Sequence, residues 1–159
     1  MSKAQIITDL EKYIDWVDSL QTLSEHQANS PYREGKWSPK EILMHMAEWD
    51  RFTVDERLPE MHEGNVLTNV PFEPFNEGAA RLANEKTFEE TRIYAKEQRE
   101  RIITRLQLID ETDWIKEFKI GNHSMSIKQY FADFVWHDSH HKEQIELVRK
   151  DKDIYTDSK

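Results

Sequence analysis

Apolar residues recur along this chain at spacings of three and four in four separate stretches, the period of amphipathic helices. In the first, over residues 3 to 23, Ile6, Leu10, Tyr13, Val17 and Leu20 form the stripe, and Asp9, Glu11, Lys12, Asp15 and Asp18 take other faces. The second starts at Ser38-Pro39-Lys40-Glu41, runs to about Leu58 and aligns Ile42, His45, Trp49 and Phe52. The third opens at Thr87-Phe88-Glu89-Glu90 and reaches about Ile109 on Phe88, Ala95, Ile102, Leu106 and Ile109. Its charged residues Lys96, Glu97, Arg99, Glu100, Arg101 and Arg105 are expected to form a solvated face. The fourth follows Ser126-Ile127-Lys128-Gln129 and carries Ile127, Tyr130, Phe134, His137, His141, Gln144 and Val148 in an unbroken three-four alternation.

The last three helices share a start signal: Ser or Thr followed three residues later by Glu or Gln, a capping box. That role takes Glu41 largely out of contention as a catalytic base. Between the helices, residues 24 to 37 read as a loop punctuated by Pro31 and Gly35. Residues 59 to 80, with Pro59, Gly64, Pro71, Pro74 and Gly78, form a long irregular connection between the second and third helices, with a short helical turn around Glu77 to Asn84. Residues 110 to 124 form another connection, with a turn at Ile120-Gly121-Asn122-His123 and with Trp114 and Phe118 covering the bundle end. No run reads as a strand. The pattern predicts an all-α, antiparallel four-helix bundle in a single domain over residues 1–159, with a polar tail from about residue 151 that is expected to fray.

Composition narrows the function. Asp plus Glu number 31 against 22 Lys plus Arg, a net charge of −9, so general nucleic-acid binding is not expected, and no basic run of the required density occurs along the sequence. Cysteine is absent, which excludes disulfides, thiolate nucleophiles and Cys-ligated metals within the chain. With no long apolar run and no leader-like N-terminus, the chain reads as cytoplasmic and not membrane-bound.

The remaining chemistry lies in the histidines. His137 and His141 stand four apart on one face of the fourth helix, and His45 occupies an equivalent position on the second. Three imidazoles on apolar stripes need partners for their nitrogens. A divalent metal supplies one partner to all three and leaves positions open for water or substrate. A hydrogen-bonded histidine cluster satisfies the same spacing, so both readings stand at this point. All-imidazole ligation suits zinc, nickel, iron or copper. His140 falls off the stripe and would ligate only after helix rotation, His26 reads as a solvated loop residue, and His62 lacks a partner at ligand spacing and reads as surface. Glu48 sits on the polar flank one turn from His45. Asp138 is placed either to orient an imidazole or to form a plain salt bridge. Trp49, Tyr130, Phe134 and Trp136 are aromatic at helical spacing, which is the pattern of core residues as much as of a pocket.

Two runs carry a family likeness. Gly35-Lys36-Trp37-Ser38-Pro39-Lys40-Glu41-Ile42-Leu43-Met44-His45-Met46-Ala47-Glu48-Trp49 resembles the second-helix signature of the DinB-like four-helix-bundle superfamily. Trp136-His137-Asp138-Ser139-His140-His141-Lys142-Glu143-Gln144-Ile145 resembles its fourth-helix signature. The resemblance implies that His45, His137 and His141 bind a divalent metal, zinc or nickel. It further implies a metal-dependent hydrolase or a thiol-dependent S-transferase. The metal would activate water or a low-molecular-weight thiol against a small electrophilic substrate. It also implies a homodimer. The alternative is a non-catalytic small-molecule-binding or stress-protection protein built on the same bundle.

Overall fold

In the computed structural model, residues 1–151 are described; the tail expected to fray lies, beyond Asp151, outside the described residues. Seven α-helices follow one another among the described residues: α1 Lys3–Ser19, α2 Glu25–Ala28, α3 Pro39–Phe52, α4 Phe72–Asn84, α5 Phe88–Gln107, α6 Glu111–Trp114 and α7 Ile127–Lys150. The long ones are α1, α3, α5 and α7, the four that the apolar spacing predicts. α5 packs against α1 and α3, and α7 packs against the same two, so the bundle closes in the order α1, α5, α3, α7. No helix among the described residues is long and apolar enough to cross a membrane.

The three expected capping boxes are formed. Ser38 Oγ accepts from the Glu41 amide while Glu41 accepts from the Ser38 amide, and Thr87 with Glu90 and Ser126 with Gln129 repeat the exchange. Each box satisfies two amides that the first helical turn leaves open, so the sequence sets where α3, α5 and α7 begin. α3 does not stop cleanly. It continues through a π-helical turn, Thr53–Arg57, and a 3-10 turn, Leu58–Glu60, which together reach the end expected near Leu58.

Besides the one-turn helix α2 inside the loop expected over residues 24 to 37, two stretches expected to be irregular are ordered differently. α4 covers thirteen residues rather than a short turn, and it packs on α3. Pro74 is tolerated because it stands in the first turn, where its missing N–H has no intrahelical partner to lose. The second departure is a small sheet of β1 Val66–Leu67, β2 Glu117–Ile120 and β3 His123–Ser126, where no strand is predicted. β1 runs parallel to β2, with Val66 opposite Lys119. β2 and β3 form an antiparallel hairpin with Phe118 opposite Met125. Gly121 turns it at φ 58°, and a Cβ there would come within 2.4 Å of the Asn69 side chain. Phe118 and Trp114 are buried and close the bundle end as expected.

The core divides into two apolar clusters. Ile6, Leu10, Val54, Ile102, Phe131 and Phe134 belong to one, and Tyr13, Val17, Leu43, Ala47, Ala95 and Ile145 to the other. Between them in sequence on α3, α5 and α7 fall Asp50, Arg99 and Asp138, all buried. This corrects the expectation for Arg99, which is 0% exposed rather than part of a solvated face. Its Nε donates to Asp50 at 2.8 Å, and Nη1 and Nη2 donate to the two Asp138 oxygens at 2.8 and 2.9 Å. The guanidinium lies over the Tyr13 ring, 3.6 Å from its centroid, so α1 joins the same layer. Burial alone would lower the Arg99 pKa, but Asp138 and Asp50 reverse that and raise it, which keeps it charged. Burial raises Asp50 to about 7 against the opposing pull of Arg99.

Candidate metal centre

The two histidine-bearing helices face each other across a cavity of about 450 Å³. His45 from α3 and His137 and His141 from α7 all stand on its wall. The His45 and His141 rings meet edge to face with centroids 5.1 Å apart. His137 is not in the packed core, where its stripe would put it. It is exposed, because the side of α7 that carries it opens onto the cavity rather than onto another helix. As the side chains stand, no group of three or more His, Asp or Glu residues among the described residues is arranged to hold a metal ion.

The nitrogens nevertheless fit a metal in three respects. First, burial, followed by the charges of His141 and His137, lowers the His45 pKa to about 4, with Asn76 opposing the fall. Its imidazole is therefore neutral at neutral pH, the state in which it can ligate. Second, His45 Nδ1 is buried without a hydrogen-bond partner, so an orphaned donor or acceptor lies at the site. Third, the tautomer of His141 is set. Its Nδ1 lies 2.9 Å from Gln144 Oε1, an acceptor only, so Nδ1 carries the proton and Nε2 keeps its lone pair. Gln144 is itself oriented by donating from Nε2 to Tyr32 Oη at 3.2 Å. Burial lowers the His141 pKa as well.

Two outcomes follow from these contacts. Replacing Gln144 by Leu should leave the fold intact and weaken zinc affinity by about 10–100-fold, the usual effect of losing the partner that orients a ligating histidine. A competition titration with a chelating dye measures it. The His45 shift also predicts a pH dependence. The unfolded chain takes up a proton near 6.5 and the folded one only near 4, so His45 contributes stability above 6.5 that is lost as pH falls towards 4. In chelator-treated protein, His45→Asn should flatten the stability–pH curve over that window by roughly 3 kcal/mol. Urea denaturation at several pH values reads the difference, and the Asp50 contribution, common to both proteins, cancels.

The remaining candidates separate clearly. His140 is exposed, lies outside the cavity wall and stacks on Trp136 with ring planes 5° apart. Trp136 is 66% exposed and does not line the cavity, whereas Trp49, Tyr130 and Phe134 do. Glu48 is not on a solvated face: it is half-buried and accepts hydrogen bonds from Arg51 Nε at 3.2 Å and from the Tyr94 hydroxyl. Asp138 is a salt-bridge residue, held by Arg99, and so ties the histidine segment of α7 to α5 and α3. His123, from β3, also reaches the cavity wall, and only the unpredicted hairpin brings it there.

The DinB superfamily model matches residues 13–145, a span that includes both histidine helices and the crossover between them. The chain belongs to the DinB superfamily. Its fold is that of YfiT from Bacillus subtilis, described as a probable metal-dependent hydrolase with an unusual four-helix bundle topology; the TM-score is 0.78 at 19% identity, over 94% of this chain and 89% of that one. An uncharacterised protein from Clostridium difficile 630 superposes with a TM-score of 0.74 at 12% identity, covering 94% of this chain and 96% of its own. A Streptococcus pneumoniae protein gives 0.74 at 12% identity, covering 94% and 91%. At these identities the likeness establishes the fold of this DinB-superfamily chain. No curated protein matches it by sequence.

Proposed function

We propose that this DinB-superfamily protein is a metal-dependent enzyme, a hydrolase or a thiol-dependent S-transferase, acting on a small electrophilic molecule. His45, His137 and His141 would hold a divalent ion, zinc or nickel. The observation that carries the reading is that imidazoles from two helices share the wall of one cavity, with His45 neutral and His141 fixed in the ligating tautomer. The description of YfiT as a probable metal-dependent hydrolase supports it. A bound ion of this kind supplies Lewis-acid activation of water or a thiol.

The residues around the histidines have separate tasks in this account. Gln144 and Tyr32 hold the His141 ring. The Asp50–Arg99–Asp138 layer fixes α3 and α7 relative to each other, and so fixes the two histidine segments. Trp49, Phe72 and Phe134 line the cavity with apolar surface that excludes water around a substrate.

The test is a screen of small electrophiles with water or a low-molecular-weight thiol as nucleophile, on zinc- and nickel-loaded protein. Turnover that disappears in His45→Ala agrees with an enzyme. Stoichiometric capture of the electrophile that is indifferent to His45→Ala would replace the reading with a non-catalytic binding or self-protection protein.

A further inference from the structure

Arg57 lines the same cavity as the histidines, is 7% exposed, and makes no ion pair among the described residues. That is unusual for a buried charge, which normally has a partner. Arg99, which is buried behind the cavity wall and does not line it, supplies the contrast. Arg99 is saturated by two carboxylates, Asp50 and Asp138, while Arg57 has none. Asp133, the third carboxylate on the wall, is exposed and forms no ion pair with it. Among the described residues, Nη1 alone of the guanidinium nitrogens has a hydrogen-bond partner, the Tyr130 hydroxyl at 3.3 Å, which in turn meets Thr53 Oγ1 at 3.1 Å. Nε is buried without a partner. The group is held in place by aromatic rings, with Cζ 5.1 Å from the Trp49 ring centroid and 5.2 Å from that of Phe52. Stacking of this kind fixes the plane of a guanidinium and leaves its edge donors available.

The backbone explains how Arg57 comes to face the histidines. It lies twelve residues after His45. In an uninterrupted α-helix, at about 100° per residue, it would stand about 120° round the axis from His45. The π-helical turn Thr53–Arg57 inserts one extra residue and cuts that offset to about 20°. Such a turn weakens the regular backbone ladder, and here its consequence is to set a cation on the histidine face.

We propose that Arg57 is the binding residue for an oxyanion group of the substrate, a carboxylate or a phosphate. The cavity would then take a small molecule with an apolar body, packed on Trp49, Phe72 and Phe134, and one anionic end on Arg57. The proposal rests on the reading of this cavity as a substrate site. It restricts the substrate class, since a neutral electrophile would leave Arg57 buried without a counter-charge.

The test uses the full chain after removal of metal by a chelator, with phenylacetate, benzylphosphonate and the neutral phenylacetamide as probes. Calorimetry or ¹⁵N-edited NMR should show one of the two anions binding at least about tenfold tighter than the amide, the scale of a hydrogen-bonded charge. The tighter anion identifies the oxyanion. Arg57→Gln should abolish the preference without weakening amide binding, and Arg57→Lys should retain part of it, whereas a merely structural role would shift all three probes together. If Arg57→Gln fails to fold, the wild-type ranking and the response of the Arg57 Nε–H resonance decide. No preference for either anion in the wild type, or a preference that survives Arg57→Gln, would overturn the inference. Zinc uptake is measured on the same preparation. Uptake without anion preference sinks the role of Arg57 alone, and anion preference without uptake sinks the metal reading alone.

Discussion

Arg99→Leu should destabilise the protein by about 3–5 kcal/mol, the expected effect of removing one partner from a buried ion pair and leaving its counter-charges behind. Asp50 and Asp138 both depend on that guanidinium, at 2.8–2.9 Å for their closest contacts, and both are buried, at 1% and 5% exposed. Arg105→Leu, at an exposed position on the same helix, should change stability by less than about 0.5 kcal/mol. Urea denaturation of both variants separates the buried layer from an ordinary surface charge, and equal effects would contradict it.

The second large effect concerns the metal. His45→Ala should lower zinc affinity by more than about 100-fold, beyond what loss of an orienting partner such as Gln144 produces. His45 is the sole histidine that α3 contributes, so its loss leaves both remaining imidazoles on one helix. The fold should survive, because His45 is only half-buried and its Nδ1 has no protein partner to abandon.

How far the sequence discloses this molecule depends on the range of the interaction concerned. The four long helices are written in the three-four spacing, and all four of their starts in Ser or Thr paired with Glu or Gln, Ser2 with Gln5 included, because both signals are local. The hairpin is too short for a period to register, although Phe118 and Ile120 alternate with Glu117 and Lys119 as buried and exposed residues. α4 is hidden by Pro74 and Gly78, which are tolerated for reasons of position rather than type. Arg99 is the instructive miss. It stands in line with Ala95, Ile102 and Leu106, and a charged residue inside an apolar stripe signals burial when Asp50 and Asp138 stand directly beside the stripes of two other helices. Arg57 carries no such signal, since its direction depends on one extra residue in a π turn that no spacing announces. The histidines fall between these cases. Spacing put His45 and His141 on facing helices, but it assigned His137 to a core when that face of α7 borders a cavity.

Metal content of the untagged protein tests the proposed three-histidine site most directly. Elemental analysis after zinc or nickel reconstitution and desalting should find one divalent ion per chain in the wild type. The same analysis should find none in His45→Ala or His141→Ala, with helical circular dichroism unchanged in both. A folded wild type that neither retains nor takes up stoichiometric metal would contradict it.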